Sequence, residues 1–331
     1  MLVIGPNGVG KTNLLEALHV GAQGFSPRTR ADAQMVRFGA PAARVTLAGL
    51  ERGAPVESQV TLARGEPKRV RLNGAALASA EELRSRLSAL VFVPDRLAVV
   101  KGGPLVRRAY VDRTLGRLWP ARAALASGYG RALAQRNEAL RRVRAGVSEL
   151  ATVAPWTERV VALGAELDEA RAELVALLAP RFAERAHALG LAAGALAYEP
   201  DPPRVAALEA RLASDLQRGV TSLGPHLRDV GISAGGRDLR SFGSQGEQRS
   251  AVLALVLAEA DLVAERSGAP PLLLLDDVLS ELDESRRRAL LDGLPPGAQT
   301  VVTATGRGAL PAGGPQPALV VEVRPGEATR A

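Results

Sequence analysis

The sequence predicts an α/β fold in which a mostly helical segment is inserted into a parallel sheet. A glycine-rich loop near the start of the chain follows a short apolar run, Leu2–Ile4, and leads into a helical pattern. A very apolar run near the end, Leu272–Leu275, stops at two aspartates. Between about residues 101 and 228, apolar residues recur at three- and four-residue spacing, which is typical of amphipathic helices.

The division of the chain follows from where these patterns change. At 331 residues the chain is long enough for more than one domain. We predict the first part of a head over residues 1–100, a helical arm over 101–230 and the second part of the head over 231–331. Within the first part, apolar runs at 44–73 alternate with Gly, Pro and charged residues, which predicts antiparallel strands.

The part after residue 230 predicts the rest of the sheet. A helical pattern over residues 246–266 precedes the apolar strand Leu272–Leu275, and Thr300–Val302 predicts a further strand. Alternating helices and strands are typical of a parallel sheet. Gly and Pro are frequent after residue 306, so we expect loose order at the end of the chain.

The composition narrows the class of protein. The chain has no cysteine, which excludes disulfides, thiolate zinc sites and cysteine nucleophiles and favours a cytoplasmic location. No uncharged apolar run reaches membrane-spanning length, so no membrane is expected as a partner. The formal net charge of +7 favours polyanions such as nucleic acid, although a coding bias toward Arg and Ala would also produce it.

The glycine loop carries the strongest functional signal. Residues 5–12, GPNGVGKT, satisfy the P-loop pattern between a predicted strand and a predicted helix. Such a loop turns backbone N–H groups toward one anion, while its lysine reaches the outer phosphates and its hydroxyl can bind Mg²⁺. The residues expected to bind a nucleotide are Gly5, Pro6, Asn7, Gly8, Val9, Gly10, Lys11 and Thr12.

The aspartates that end the apolar strand resemble a Walker B sequence. We expect Asp276 to hold Mg²⁺ together with Thr12. Asp277 then lies where ABC-type ATPases place the carboxylate that orients or deprotonates the attacking water. By itself such a strand end is as often purely structural, and the P-loop is what favours the catalytic interpretation.

The start of the predicted helix at 246–266 is a second candidate anion site. Residues 244–249, SQGEQR, look like the ABC signature motif, which contacts the γ-phosphate held by a partner's P-loop. Contacts across such a dimer are expected from Ser244, Gln245, Gly246 and Gln248. A capping turn is an equally compatible interpretation, because Ser244 is a good N-cap and Glu247 lies three residues later.

Two further segments follow the Walker B strand. Residues 279–283, LSELD, match the D-loop of ABC and SMC heads, so we expect Ser280 and Asp283 to lie at the dimer seam. Thr303 and Thr305 occupy the position where transporter ATPases carry a switch histidine. No histidine follows the strand, and no metal beyond nucleotide-bound Mg²⁺ is expected.

The beginning of the arm is strongly basic. Residues 101–144 hold eleven basic and two acidic residues, whereas residues 145–230 hold eight and twelve. A phosphate-contacting surface is therefore expected to include Arg107, Arg108, Arg141, Arg142 and Arg144. Two alternatives stay open: a solvated helix surface, and pairing of Arg107 and Arg108 with Asp112 and other carboxylates.

Several segments resemble the RecF family of bacterial recombinational-repair proteins. They are KTNLLEA at 11–17, FVPDRL at 92–97, VKGGP at 100–104, RRAYVD at 107–112, SQGEQR at 244–249 and DDVLSELD at 276–283. The resemblance implies a P-loop ABC/SMC-type ATPase head with an inserted helical arm. Members of this family normally carry a β-hairpin before the P-loop, which here starts at Gly5, so the chain is expected to lack that hairpin.

The same resemblance implies a DNA-stimulated ATPase that turns over slowly. It implies an ATP-dependent homodimer that binds gapped DNA or single-strand/double-strand junctions and works with RecO and RecR to load RecA. The expected processes are DNA repair, replication restart and the SOS response.

Two other functions stay open. The first is the ATP-binding subunit of an ABC transporter, against which the missing switch histidine, the Asp276–Asp277 pair and the helical insertion argue. The second is an SMC-like nucleotide-gated clamp with little hydrolysis, which would carry the same motifs.

Overall fold

A computed structural model describes residues 1–29, 31–51 and 53–331, without the side chains of Glu51, Asp95 and Glu281. The helices are α1 Lys11–Gln23, α2 Ala80–Arg86, α3 Ala98–Lys101, α4 Pro104–Leu118, α5 Leu125–Arg144, α6 Ala154–Ala188, α7 Val205–Ala210, α8 Leu212–Arg218, α9 Leu239–Phe242, α10 Gln245–Ser267 and α11 Glu284–Asp292. The strands are β1 Leu2–Ile4, β2 Ala42–Glu51, β3 Ala54–Ala63, β4 Arg69–Leu72, β5 Ala75–Ala76, β6 Ala89–Phe92, β7 Gly194–Tyr198, β8 Val230–Ala234, β9 Arg237–Asp238, β10 Leu272–Leu275, β11 Thr300–Ala304, β12 Val320–Arg324 and β13 Glu327–Arg330.

The chain folds as two compact units. The head unit consists of Met1–Leu97, Glu184–Ala192 and Gly243–Ala331, and the arm unit consists of Ala98–Ala183 and Ala193–Phe242. The sequence patterns place the boundaries after residues 100 and 230, whereas the packing places them after residues 97 and 242 and assigns 184–192 to the head unit.

A mostly parallel sheet forms the centre of the head unit. Its strand order is β13-β12-β1-β11-β10-β6, with β13 antiparallel to β12. β11 therefore lies between β1, which precedes the glycine loop, and β10, which precedes the two aspartates. Because these strands are parallel, their carboxyl ends meet at one edge of the sheet.

The central strands are apolar because both faces of the sheet are covered. Val3, Leu274 and Val301 share a buried cluster with Leu15 of α1, so the helix that follows the glycine loop packs directly on the sheet. α1 ends at Gly24 in the left-handed conformation, with φ 71°, which is a common helix stop. The loop and the helix start are thus fixed to the end of β1 by apolar packing.

The end of the chain is more ordered than the sequence predicts. In place of a loose segment after residue 306, β12 pairs with β1 and β13 pairs with β12. Val320 and Val323 are buried in the head unit. The valines of β12 are typical of a strand. The many Gly and Pro residues around them led to the expectation of a loose segment.

A second sheet in the head unit is antiparallel, as predicted, with the order β2-β3-β4-β5. Val60, Leu62, Val70 and Leu72 alternate with polar residues and are buried against Val20 of α1. The period-two pattern in β3 and β4 thus fixes which face of this sheet packs on the head and which face is outside.

The arm unit contains the long helices α5 and α6. Tyr129 of α5 packs with Leu167 of α6, and Leu140 packs with Val153 just before α6, so the two helices are antiparallel. The arm also holds an antiparallel sheet, β7-β8-β9, which the helical periodicity did not predict. No helix in the described ranges is long and apolar enough to cross a membrane.

A buried ion pair connects the helices of the arm. Arg136 Nη1 of α5 lies 2.9 Å from Asp215 Oδ2 of α8, and both side chains are fully inaccessible. The guanidinium also donates to Thr221 Oγ1 at 2.7 Å and to Thr157 Oγ1 of α6 at 3.0 Å. Because a buried charge is stable only with its partner, this cluster fixes the position of three helices relative to one another.

We expect Asp215→Asn to lower the free energy of unfolding by about 3–5 kcal/mol, because it leaves the buried Arg136 charge without a counter-ion. Urea denaturation followed by circular dichroism measures the loss. The matched control is Glu138→Gln, which breaks the exposed pair of Glu138 with Arg141 (53% and 47% exposed) and should change stability by no more than about 1 kcal/mol. Equal effects of the two substitutions would contradict the structural role of the buried pair.

Candidate functional site

The glycine loop connects β1 to α1 at the carboxyl edge of the head sheet. Gly8 has φ 83° and Gly10 has φ 112°, a region that residues with a side chain rarely adopt. A Cβ atom at either position would meet no neighbour within 4 Å. The backbone conformation, and not crowding, is therefore what requires glycine here.

Lys11 is the first residue of α1 and is only 8% exposed. Its Nζ donates to the carbonyl oxygens of Gly5 at 2.7 Å and Pro6 at 2.9 Å. These acceptors are neutral, and no ion pair involves Lys11 in the described part of the chain. A buried ammonium without a counter-ion, next to a helix start, favours an anion such as a phosphate.

Thr12 and Asp276 meet although they are 264 residues apart in the chain. Thr12 Oγ1 donates to Asp276 Oδ2 at 2.8 Å, and Asp276 follows β10 directly and is buried. Hydroxyl and carboxylate oxygens suit Mg²⁺, which proteins usually bind through one or two carboxylates together with substrate phosphates. The pair therefore fits a nucleotide-bound Mg²⁺, and the described residues contain no cluster of three or more His, Cys, Asp or Glu that could hold a metal.

Thr303 of β11 holds both aspartates. Its hydroxyl donates to Asp276 Oδ1 at 2.8 Å and accepts a hydrogen bond from the Asp277 backbone N–H at 2.8 Å. The two oxygens of Asp276 are thus fixed by Thr12 on one side and Thr303 on the other. Thr303 is fully buried, whereas Thr305, the other predicted switch residue, is exposed beyond the end of the strand.

Asp277 combines a strained backbone with an unpartnered oxygen. Its φ of 48° lies in the left-handed region, which costs of order 1–3 kcal/mol for a residue other than glycine. Its Oδ1 atom is buried and has no hydrogen-bond partner in the described chain. Next to it is a cavity of about 30 Å³, which has room for about one water molecule. The carboxylate is thus placed to orient a water.

Arg249 also lines this cavity, together with Asp276 and Asp277. Arg249 is not among the site residues predicted from the sequence, although it ends the segment SQGEQR at 244–249. The sequence feature that could have indicated Arg249 is a basic residue near the start of the helix before the Walker B strand. That this residue lies beside Asp276 and Asp277 is known only from the packing of α10.

The capping turn at the start of α10 is present. Ser244 Oγ accepts from the Glu247 N–H at 3.2 Å, and the Ser244 N–H donates to Glu247 Oε2 at 2.7 Å. Ser244 and Gln245 are exposed, so a second chain can reach them. Gln248 is only 5% exposed in the single chain, so its contact with a second chain stays a prediction.

The predicted D-loop residues are exposed and well ordered by local hydrogen bonds. Ser280 Oγ donates to the Asp277 carbonyl oxygen at 3.0 Å. Asp283 is the N-cap of α11 and accepts from the Arg286 N–H at 2.8 Å. This hydrogen bond, followed by that of Ser285, lowers the pKa of Asp283. The D-loop is therefore connected to the backbone of the candidate catalytic aspartate.

Arg107 is not available for the predicted phosphate contact. It is 5% exposed and forms a two-point ion pair with Asp229, with Nε 2.8 Å from Oδ1. Burial raises the pKa of Asp229, but the hydrogen bond and charge of Arg107 outweigh it, so the net pKa lies below the usual range. Asp112, the partner expected from the sequence, pairs with Arg171 instead.

The other arginines of the predicted DNA surface also have partners within the arm unit. The acceptors are the Arg228 carbonyl for Arg108, Glu138 for Arg141, Ser148 for Arg142 and the Gln217 carbonyl for Arg144. The last three arginines are exposed, so their contact with DNA stays a prediction.

Comparison with known proteins assigns the family. No family model matches the chain. Over 98% of its length it is 41% identical to the DNA replication and repair protein RecF of Anaeromyxobacter dehalogenans (strain 2CP-1), of which the match covers 91%. The chain belongs to the RecF family.

Solved structures agree with this assignment and confirm the predicted fold class. The recombination mediator protein RecF-ATP in the RecFOR pathway is similar with a TM-score of 0.87 at 24% identity, over 100% of this chain and 91% of that one. The SmcHead bound to the C-winged helix domain of ScpA is similar with a TM-score of 0.59 at 17% identity, over 100% and 88%. The chain thus has an ABC/SMC-type head fold.

We expect Thr303→Val to lower the rate of ATP turnover by about 10–100-fold and to raise the Mg²⁺ concentration that gives half-maximal activity. The valine removes the hydroxyl that fixes Asp276 and leaves the Asp277 N–H without its acceptor. Turnover measured across a Mg²⁺ titration checks this.

Thr303→Ser keeps the hydroxyl and should restore most of the activity, and Thr305→Val is the control at an exposed position of the same segment. Thermal unfolding shows whether each variant is folded. A folded Thr303→Val protein with the parental Mg²⁺ dependence would remove the positioning role.

Proposed function

We propose that this chain is an ATP-dependent DNA-binding recombination mediator that binds and slowly hydrolyses ATP in a homodimer. The observation that carries the proposal is the meeting of Lys11, Thr12, Asp276, Asp277 and Thr303 at one edge of the head sheet. The ammonium, the hydroxyls and the carboxylates of these residues are arranged there for the transfer of a phosphoryl group to water. Enzymes catalyse this reaction mostly by positioning the reactants and stabilising charge.

The phosphates are bound by the glycine loop and by Lys11. On binding, the ammonium exchanges the Gly5 and Pro6 carbonyls for outer phosphate oxygens, which are stronger acceptors because they are charged. Thr12 and Asp276 would hold Mg²⁺, which would neutralise charge that develops on the phosphates. Thr303 keeps Asp276 in one orientation throughout.

Asp277 orients the attacking water. Its buried Oδ1 accepts a hydrogen bond from a water in the adjacent cavity. The O–H of the water then points at the carboxylate, and a lone pair of the water oxygen points away from it. The Asp277 N–H and carbonyl oxygen are fixed by Thr303 and Ser280, so the strained conformation is kept while the side chain acts.

The second half of the nucleotide site comes from another copy of the chain. Ser244 caps α10 with its own side chain, but a helix start has more than one free N–H group, and Gln245 and Gly246 follow at this end. These N–H groups and the positive end of the helix dipole bind the γ-phosphate held by the partner's loop. ATP thereby joins two heads, and its hydrolysis releases them.

The biological role follows the family. We place the protein in the cytoplasm at gapped DNA or single-strand/double-strand junctions, in repair, replication restart and the SOS response. There it acts with RecO and RecR to load RecA, and DNA stimulates its ATPase. The 41% identity to a DNA replication and repair protein and the fold shared with RecF-ATP of the RecFOR pathway support this role.

The test is ATP hydrolysis and sedimentation velocity with and without gapped duplex DNA. ATP-dependent dimers and DNA-stimulated hydrolysis are the expected result. Hydrolysis that responds to neither DNA nor dimerisation would favour a transporter subunit, and dimers with negligible hydrolysis would favour an SMC-like clamp.

We expect Asp277→Asn to keep binding Mg·ATP but to lose turnover and accumulate the closed dimer, because only the water-orienting charge is removed. Lys11→Ala is the comparison: it removes the charge that neutralises the outer phosphates and should abolish both binding and dimerisation. Fluorescent ATP binding, hydrolysis and sedimentation are measured on both. Parental turnover by Asp277→Asn would show that Asp277 has no catalytic role.

For Ser244→Arg we expect the monomer still to bind ATP but ATP-induced dimers to disappear. The bulky cation would occupy the position at the start of α10 where the γ-phosphate held by the partner's loop binds. Loss of the N-cap also lowers stability by about 0.5–2 kcal/mol, so folding is checked by thermal unfolding. Ser267→Arg, the same substitution at the exposed other end of α10, is the matched control. ATP-dependent dimers of Ser244→Arg would leave only the capping role for this residue.

A further inference from the structure

The outer face of the antiparallel sheet in the head unit is basic. Across β2, β3 and β4, one row of directly opposed residues contains Arg44, Thr61 and Arg69. The next row on the same face contains Thr46, Gln59 and Arg71. Directly opposed residues project from the same face of a sheet. The side chains of this face, here named the arginine face, are Arg44, Thr46, Gln59, Thr61, Arg69 and Arg71.

The core of the head unit fixes the direction of these side chains. The alternate residues Val60, Leu62, Val70 and Leu72 are buried against α1. Turning an arginine inward would need a one-residue slip that exposes this whole apolar set. The arginine face is therefore held outward by the packing of the opposite face, and Arg44 and Arg71 are exposed.

Two of the three arginines on this face have no counter-ion among the residues that the structure describes. Arg69 pairs with Glu66 at 3.2 Å, but both side chains are more than half exposed, so the pair is weak. Neither Arg44 nor Arg71 takes part in an ion pair within the described ranges. The nearest carboxylate along β3 on the same side is Glu57, one row beyond Gln59. The arm arginines, by contrast, have partners in their own unit.

The charges lie at the regular spacings of a β-sheet. Residues two apart on β4 are separated by about 6.8 Å, and Arg44 and Arg69, two strands apart, by about 10 Å. Duplex DNA carries one charge for about every 1.7 Å of its axis, so such a surface can meet several phosphates at once. Threonine hydroxyls and the Gln59 amide add neutral donors that commonly contact phosphates.

The same face is not suited to reading bases. Within these described rows none of the side chains is aromatic, so there is no platform on which single-stranded bases could stack. The face consists of the paired strands β2, β3 and β4, whereas the grooves of duplex DNA are read by a helix or a two-stranded ribbon that enters them. Its chemistry thus favours the backbone of a double strand, independent of sequence.

From this geometry we infer that the arginine face binds the phosphate backbone of duplex DNA. The inference rests on the proposed function, to which it adds the surface that holds the DNA. It also moves the expected contact from the basic beginning of the arm to the β2-β3-β4 hairpins of the head, whose residues 42–76 hold six basic and three acidic residues.

The test is the double variant Arg44→Gln/Arg71→Gln, which removes the unpaired charges and leaves the apolar face unchanged. Binding to a labelled duplex is measured by fluorescence anisotropy with ATP at several salt concentrations and on two unrelated sequences. We expect weaker binding on both sequences, and a plot of log affinity against log salt that flattens by about two units, since each lost phosphate contact contributes about one. ATP turnover without DNA should be unchanged.

The matched control is Arg324→Gln/Arg330→Gln, which removes the same charge from exposed positions of β12 and β13 in the same unit. Unaltered affinity and salt slope in a folded Arg44→Gln/Arg71→Gln protein, or an equal loss in the control, would overturn the inference. The inference would also be overturned if the Arg44→Gln/Arg71→Gln protein lost binding to phosphatidylserine vesicles but kept its DNA binding. The arginine face would then bind an acidic membrane.

The parental protein separates this inference from the proposed function. If it hydrolyses ATP but binds no duplex, both the DNA-binding role and the arginine face are wrong. If it binds duplex and the double variant binds equally well, only the arginine face is wrong.

Discussion

The hydrogen bonds of the Asp276 carboxylate are the constraint on which the site depends. Thr12 fixes Oδ2 and Thr303 fixes Oδ1, so the start of α1 and the ends of β10 and β11 are held in one arrangement. This is possible because β11 lies between the other two strands, and its Thr303 is level with the first residue after β10. The glycine loop precedes this point and Asp277 follows it, and both take their positions from it.

The apolar surroundings allow the site to keep unfavourable features. Among the described residues, Asp277 has a left-handed backbone and an oxygen without a hydrogen-bond partner, and the buried Lys11 ammonium has carbonyl oxygens as acceptors and no counter-ion. Each lowers stability by an amount that a small domain could not easily tolerate. The buried strands of the head sheet and α1 offset that cost. Strain and unpaired polar groups are thus concentrated where a ligand and a water can use them.

The arginines of the two units have different roles. In the arm, Arg136 and Arg107 are buried and paired with Asp215 and Asp229, so they hold helices and strands together. On the antiparallel sheet of the head unit, arginines face outward because the opposite face is apolar, and Arg44 and Arg71 take part in no ion pair within the described ranges. A net charge of +7 does not distinguish these cases, since only the pairing decides which charges remain for a polyanion.

The sequence alone determined what depends on neighbouring residues: the glycine loop, the strand that ends in Asp276, the capping box of Ser244 and the antiparallel hairpins. Their geometry is local, so period, glycines and caps suffice to predict it. The tertiary structure decided the rest: the reach of Thr303 to both aspartates, the burial of Gln248, the ion pair of Arg107 with a residue 122 positions away, and the pairing of β12 with β1. Those contacts join segments that are distant in the chain, and they depend on strand order and core packing, which no short stretch of sequence encodes.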